Sequence, residues 1–301
     1  MAKRIVVLGN GFDLDLGLKT SYSDFAKSNQ WSELMDNNLN SLTSSRLLGF
    51  LKSKYDVEKW IDVEAALLEF ATLKTRNKDY SHASDDEEDF HSLCKALKEY
   101  LAEQQSVFNP TNNSVAYVLL RYFGSLTSNT KLYSFNYTEL NGLAEHLQIS
   151  VKDAIHIHGS LKDEGDIILG IETDNSIDEH YAFLYKTQNR YYQHTDILKD
   201  LRDMDEYIFF GHSLNGMDYA YFRSAFISLS GYNLNTPRLT IITKDVMSEN
   251  AFKSFLRREG ISLQGLFSNS IPTFILTDEV YSSNHSEIQK VKDLINRIKV
   301  A

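Results

Sequence analysis

The run Arg4-Ile5-Val6-Val7-Leu8 constrains this chain more than any other segment. It is continuously apolar after its first residue and rich in β-branched side chains, the mark of a strand buried on both faces of a parallel sheet. Such a strand needs hydrogen-bonded neighbours, and comparable segments recur only after Lys131. They are Leu132 to Tyr137, Ala154 to His158, Ile167 to Ile171, Tyr207 to Gly211, Leu239 to Thr243 and Thr273 to Leu276, each followed by a segment that can form a helix. This alternation predicts a parallel sheet covered on both faces. Between Ser21 and about Phe123 the pattern is helical instead. Ser21 and Asp24 have capping-box spacing, and Phe90, Leu93, Cys94, Leu97 and Leu101 repeat at three- and four-residue intervals. The expected fold class is α/β: a Rossmann-like, doubly wound parallel sheet from residues 1–20 and 126–301, with residues 21–125 as a helical insertion between the first and second strands. A separate helical domain is the alternative, but it leaves the first strand's neighbours beyond residue 130.

Charge and composition narrow the function classes. With 31 Lys and Arg against 41 Asp and Glu, the net charge of −10 disfavours a surface that tracks long nucleic acid, which needs a basic face. A small anion held by backbone amides remains open. The acidic run Asp85 to Asp89 reads as a solvated helix start or loop. Cys94 is the single cysteine, which excludes an internal disulfide and a multi-cysteine zinc knuckle, and its place on the apolar stripe reads as a packed thiol. No apolar run approaches the roughly 18 residues of a membrane helix, so a soluble, cytoplasmic protein is expected.

In open parallel sheets ligands bind outside the carboxyl ends of the strands. The residues expected there are Gly9-Asn10-Gly11-Phe12-Asp13, Asn136-Tyr137-Thr138, His156-Ile157-His158-Gly159-Ser160 and Gly211-His212-Ser213. The Gly9–Gly11 turn lets backbone approach a phosphate or simply turns tightly; Leu14 stands where a dinucleotide fingerprint has its third glycine, and no P-loop lysine follows. Asp13 either contacts a ligand or favours the start of the next helix.

His156 and His158, two apart on a predicted strand, share a face. They read as hydrogen-bonded core histidines, as a general base near neutral pH at His158, or as part of a metal site for which no third ligand is signalled, so no metal is expected. Asn136 can both donate and accept, which suits a water or a ribose hydroxyl, or it caps the helix from Thr138 onward. Asp218 is a ligand contact or the capping-box partner of Asn215. On a helix predicted from Val57 to Leu73, Glu64 falls within the apolar stripe of Val57, Trp60, Ile61, Leu68 and Ala71. Such a carboxylate either reaches water at the stripe's edge or meets a polar site against which the helix packs. In the second case the helical insertion is a lid.

Leu8-Gly9-Asn10-Gly11-Phe12-Asp13-Leu14 with Thr20-Ser21-Tyr22-Ser23-Asp24-Phe25 resembles the signature of the abortive-infection AbiH family of bacterial phage-defence proteins. Agreement continues through Trp60-x-Asp62-x-Glu64, Ser134-Phe135-Asn136-Tyr137-Thr138, His156-Ile157-His158-Gly159 and Gly211-His212-Ser213-Leu214-x-x-x-Asp218-x-x-Tyr221-Phe222. A more distant resemblance is to the sirtuin-like NAD-binding fold, in the order Gly-x-Gly, strand-end Asn with Tyr-Thr, His-Gly and Gly-x-Ser-Leu. That resemblance implies roles at the nicotinamide ribose for Asn136 and His158. The zinc-binding cysteines of sirtuin deacylases are missing here, and no acyl-lysine channel is recognisable, so it implies NAD destruction in defence rather than deacylation.

The resulting expectation is a phage-defence effector that hydrolyses NAD, its substrate, to nicotinamide and ADP-ribose. Gly9 to Asp13 and Gly211 to Ser213, with Asp218, hold the nucleotide. Asn136 and His158 are catalytic, with Glu64 and His156 auxiliary. The alternatives are a non-catalytic NAD or ADP-ribose sensor signalling through a partner, and a toxin acting on nucleic acid. Since little chain follows the last predicted strand and helix, restraint is expected from a homo-oligomer or a regulatory partner protein. No membrane partner is expected.

Overall fold

The computed structural model describes residues 2–38, 43, 45–58, 62–109, 113–162, 167–172, 176–192, 196–214, 218–231 and 235–300. Strands β1 (Arg4–Leu8), β2 (Thr130–Ser134), β3 (Ile155–His156), β4 (Glu206–Phe210), β5 (Arg238–Thr243) and β6 (Ile271–Leu276) form one sheet. Every pairing is parallel, in the order β3-β2-β1-β4-β5-β6. This is the doubly wound order, whose direction of travel reverses between β1 and β4. All five residues of β1 and all five of β4 are buried, as their unbroken apolar runs require of central parallel strands. The run Ile167 to Ile171 is not a strand of the sheet. It is buried, but Ile171 makes only an isolated parallel bridge to Tyr185. Burial alone produced its apolar pattern.

Along the chain the helices are α1 (Asn10–Leu16), α2 (Tyr22–Phe25), α3 (Asn29–Asn37), α4 (Leu47–Glu58), α5 (Val63–Asn77), α6 (Ala83–Ser106), α7 (Val115–Phe123), α8 (Leu140–Glu145), α9 (Ile197–Asp200), α10 (Tyr219–Ser230), α11 (Val246–Arg258), α12 (Leu263–Asn269), α13 (Thr277–Tyr281) and α14 (His285–Val300). None of them is long and apolar enough to cross a membrane. The chain groups into two compact units, one from residues 1–18, 108–157 and 194–301, the other from 19–107 and 158–193.

The first unit contains the sheet. Alternate residues of β1 face opposite layers. Val6 and Leu8 pack with Phe12, Leu120, Phe123, Leu294 and Ile298 from α1, α7 and α14. Ile5 and Val7 pack with Phe222, Phe226, Phe255 and Leu266 from α10, α11 and α12. At the amino ends of the strands Arg4 and Glu206 are register partners, both buried, with Arg4 Nε donating to Glu206 at 2.7 Å. Arg297 Nε of α14 donates to the other Glu206 oxygen at 2.8 Å, so the buried carboxylate meets two guanidinium groups.

In the second unit Ser21 caps α2, accepting from Asp24 N, and the predicted α6 stripe is buried. The helix predicted from Val57 begins at Val63, capped by Asp62; Val57 is exposed near the end of α4, while Trp60 and Ile61 lie outside the described residues. The acidic run is not wholly solvated. Three-residue spacing puts Asp86 and Asp89 on one face of α6, where both are buried against Arg46, with Nε 3.0 Å from Asp86 and Nη2 3.1 Å from Asp89. Tyr181 donates to the second Asp86 oxygen at 2.9 Å.

The loops after β1 and β4 touch. Gly11 N donates to Gly211 O at 3.0 Å, and Gly211 has φ +63°. A Cβ on Gly211 would lie 2.4 Å from Gly11 Cα and Phe12 N. Gly211→Ala therefore combines left-handed strain with a backbone clash, and should lower stability by roughly 2–5 kcal/mol. Chemical denaturation followed by circular dichroism measures this; a loss below about 1 kcal/mol, ordinary for a harmless substitution, would refute the packing argument.

Candidate functional site

In the first unit, three predicted segments converge at the carboxyl ends of β1 and β2. Asp13, one turn into α1, is buried, and both carboxylate oxygens accept hydrogen bonds: Oδ1 from Asn136 Nδ2 at 2.8 Å and Oδ2 from Thr138 Oγ1 at 2.7 Å. The other Asn136 amide hydrogen goes to Gly9 O at 3.1 Å. Both amide hydrogens are thus committed within the protein, and what Asn136 can offer a ligand is its carbonyl oxygen. Asn136 N is itself held by Ser134 Oγ at 3.1 Å, at the end of β2. Burial penalises the charged form of Asp13 and pushes its carboxyl up to about 7, the hydrogen bonds from Thr138 and Asn136 only partly opposing this.

The neighbouring candidates are placed by the same edge. Gly9 and Gly11 present their bare Cα atoms to backbone: a Cβ would lie 2.6 Å from His212 Cα at Gly9 and 2.6 Å from Gly211 Cα at Gly11. These glycines serve loop contact at the switch point. Phe12 is a core side chain, edge-on to Phe210 at 5.2 Å and stacked at 6.0 Å on Phe123. Asn10, the first residue of α1, is exposed.

His212 accepts from Leu214 N through Nδ1 at 3.1 Å, which puts its hydrogen on Nε2, 3.7 Å from Asp218 Oδ2. Its ring lies edge-on to Phe135 and Phe222. Asp218 caps no helical N–H with its side chain, and Asn215, its expected capping partner, lies outside the described residues. Ser213 follows in the same loop.

The histidine pair is divided. β3 ends at His156, Ile155 is exposed and Ile157 buried, so the strand alternation that would align the two rings does not reach His158. His156 stays in the first unit, where Nδ1 donates to Asn136 O at 2.9 Å and Nε2 lies 3.8 Å from Glu139. It is a hydrogen-bonded bridge between the β2 and β3 ends. Among the described residues no group of three or more His, Cys, Asp or Glu is arranged to hold a metal.

His158 belongs to the second unit, is buried, and sits in a cluster around Lys186. The local backbone builds it: Ile168 N donates to His158 O, Ile171 N to Leu184 O and Lys186 N to Ile171 O. The approach is possible because residue 170 is glycine, with φ +143° and Leu184 O 2.2 Å from where a Cβ would lie. Lys186 is fully buried in the turn Lys186–Gln188. Its Nζ lies 3.1 Å from Glu64 Oε1, 3.4 Å from His158 Nε2 and 3.7 Å from Glu172 Oε1. Glu64 therefore meets a polar site within its own unit. Thr138 stands in the expected Asn136-Tyr137-Thr138 segment, whereas Lys186, Glu172 and Glu139 carry no such signal in the sequence. Glu139 lies one residue beyond that segment, and reading the loop one residue further reaches it.

Asp13 supplies a pH test. Its carboxyl is raised in the folded chain, so the folded state holds a proton that the unfolded state loses near pH 3.8, and this group's contribution to stability falls as pH rises from about 4 to 7. The slope from this one group reaches at most about 1.4 kcal/mol per pH unit. Urea denaturation across this range should show the stability of the natural chain falling relative to that of Asp13→Asn as pH rises, since the substitution keeps the shape and an acceptor for Asn136 but removes the titrating group. Parallel pH profiles for the two chains would contradict the assignment.

Neither the curated proteins nor the solved structures returned a match to this chain. A sequence model described as "Bacteriophage abortive infection AbiH" matches residues 5–236, a span that begins in β1 and takes in every candidate residue above. The chain belongs to the AbiH family of bacteriophage abortive-infection proteins.

Proposed function

We propose that this AbiH protein acts in abortive infection by hydrolysing the N-glycosidic bond of NAD. Water adds to the anomeric carbon of the nicotinamide ribose, the carbon–nitrogen bond breaks, nicotinamide leaves neutral, and ADP-ribose and a proton are the other products. The observation that carries this reading is the convergence at the sheet's switch point. There, segments after β1, β2 and β4 are joined directly, in the strand order that dinucleotide-binding sheets use. The order of the Gly-x-Gly, Asn, His-Gly and Gly-x-Ser-Leu motifs along the chain supports it independently.

In this reading Gly9 to Asp13, Gly211 to Ser213 and Asp218 hold the nucleotide. Asn136 turns its carbonyl oxygen toward the attacking water or a ribose hydroxyl, and His158 acts on the nicotinamide ribose. Asp13 sets the position of Asn136 and carries no charge through the reaction while protonated. An oxocarbenium-like transition state gains from any acceptor oxygen held near the anomeric carbon, which suits an amide already locked by its other atom.

A second reading follows from the same clamp. Because Asp13, Asn136 and Thr138 satisfy one another, the edge is also complete as a binding surface for NAD or ADP-ribose that performs no cleavage. Incubating purified protein with NAD and measuring products by mass spectrometry separates the two. Hydrolysis predicts nicotinamide and ADP-ribose, with His158→Ala, which removes one positioned hydrogen-bonding group, lowering turnover about 10²- to 10³-fold at unchanged helical content. Binding by calorimetry without nicotinamide establishes the sensor reading, and neither binding nor turnover removes both.

A further inference from the structure

Lys186 is the partner of His158 Nε2, with Nζ 3.4 Å from it. Its side chain is wholly buried, and two carboxylates, Glu64 at 3.1 Å and Glu172 at 3.7 Å, face its Nζ. A fully buried amine facing two carboxylates that are themselves only 18% and 15% exposed is held in its charged form, because a neutral amine would leave both without a counter-charge. An ammonium has three N–H groups and no lone pair, so it can only donate. The hydrogen in its 3.4 Å contact with His158 Nε2 therefore belongs to Lys186, and the lone pair to the imidazole. A neutral ring that accepts at Nε2 carries its hydrogen on Nδ1.

We infer that Lys186 is a positioning residue that fixes His158 as the neutral Nδ1–H tautomer, so that His158 meets its ligand as a hydrogen-bond donor and not as a proton acceptor. A base would need a lone pair, and the one on Nε2 is held by a cation; protonating it would set two like charges side by side. The ligand group served is an acceptor oxygen. Only the identity of that oxygen, a ribose hydroxyl of NAD, rests on the proposed function; the tautomer does not.

The test uses the full chain labelled with ¹⁵N-histidine, with His158 assigned by the signals missing from His158→Gln. Long-range ¹H–¹⁵N correlation spectra should show Nδ1 protonated and Nε2 as an unprotonated acceptor. A hydrogen on Nε2, alone or in a doubly protonated ring, would overturn the inference. Lys186→Met should abolish this preference and Lys186→Arg restore it; an unchanged Lys186→Met spectrum would remove Lys186 from the account. Should Lys186→Met not fold, a scalar coupling between the Lys186 ammonium nitrogen and His158 Nε2 in the natural chain, labelled with ¹⁵N at both lysine and histidine, takes its place, and resolved signals without that coupling count against the inference. Product analysis stays separate. The expected tautomer without NAD turnover sinks the hydrolase reading alone, whereas turnover with hydrogen on Nε2 sinks the inference alone.

Discussion

A carboxyl group without access to water must be neutral or fully hydrogen-bonded, and the carboxyl edge of this sheet is arranged around one that is close to both. Asp13 ends neither a strand nor a helix, yet its two oxygens fix Asn136 and Thr138, and through Asn136 the carbonyl of Gly9. The chain leaving β1 is thereby fastened to the chain leaving β2. On the other flank the same turn is fastened to β4 by the Gly11–Gly211 bond, which needs two residues without side chains. The switch point holds these three exits as one piece.

Three histidines show how differently a fold can commit the same ring. A backbone carbonyl makes His156 a donor at Nδ1, and a backbone N–H makes His212 an acceptor there. At His158 the choice is made at Nε2 by a side chain that had to be carried into the interior with its charge. Backbone is the cheaper partner, since it is already present. A buried lysine with two carboxylates costs desolvation three times over, and that expense marks the second unit's cluster as more than packing.

What the sequence made legible was whatever depends on local pattern. β1 and β4 are unbroken apolar runs because both faces are covered, and the Ser21 cap and the α6 stripe follow helical spacing. Pattern failed where two environments write the same residues. Ile167 to Ile171 is buried by its own unit and so looks like a sheet strand, while Asp86 and Asp89 look solvated because their partner Arg46 lies 40 and 43 residues away in the chain. The site was legible in part. Asn136 and Asp13 stood out at strand ends, and Glu64 stood out as a carboxylate on an apolar helix. Its partner could not be named, because a lysine in a tight turn carries no mark of burial; only the fold brings residues 64, 172 and 186 together.

The pairing of β1 also sets an order of events during synthesis. Residue 4 lies beside residue 130 on one edge and residue 206 on the other, and its guanidinium reaches a carbonyl at residue 297. A ribosome that has released the first strand must add most of the polypeptide before that strand has both flanks. Until then a five-residue segment meant for complete burial is open to water and to other nascent chains. Contacts so far apart in sequence form late and slowly, which makes this N-terminal strand the segment a holding chaperone would be expected to cover first.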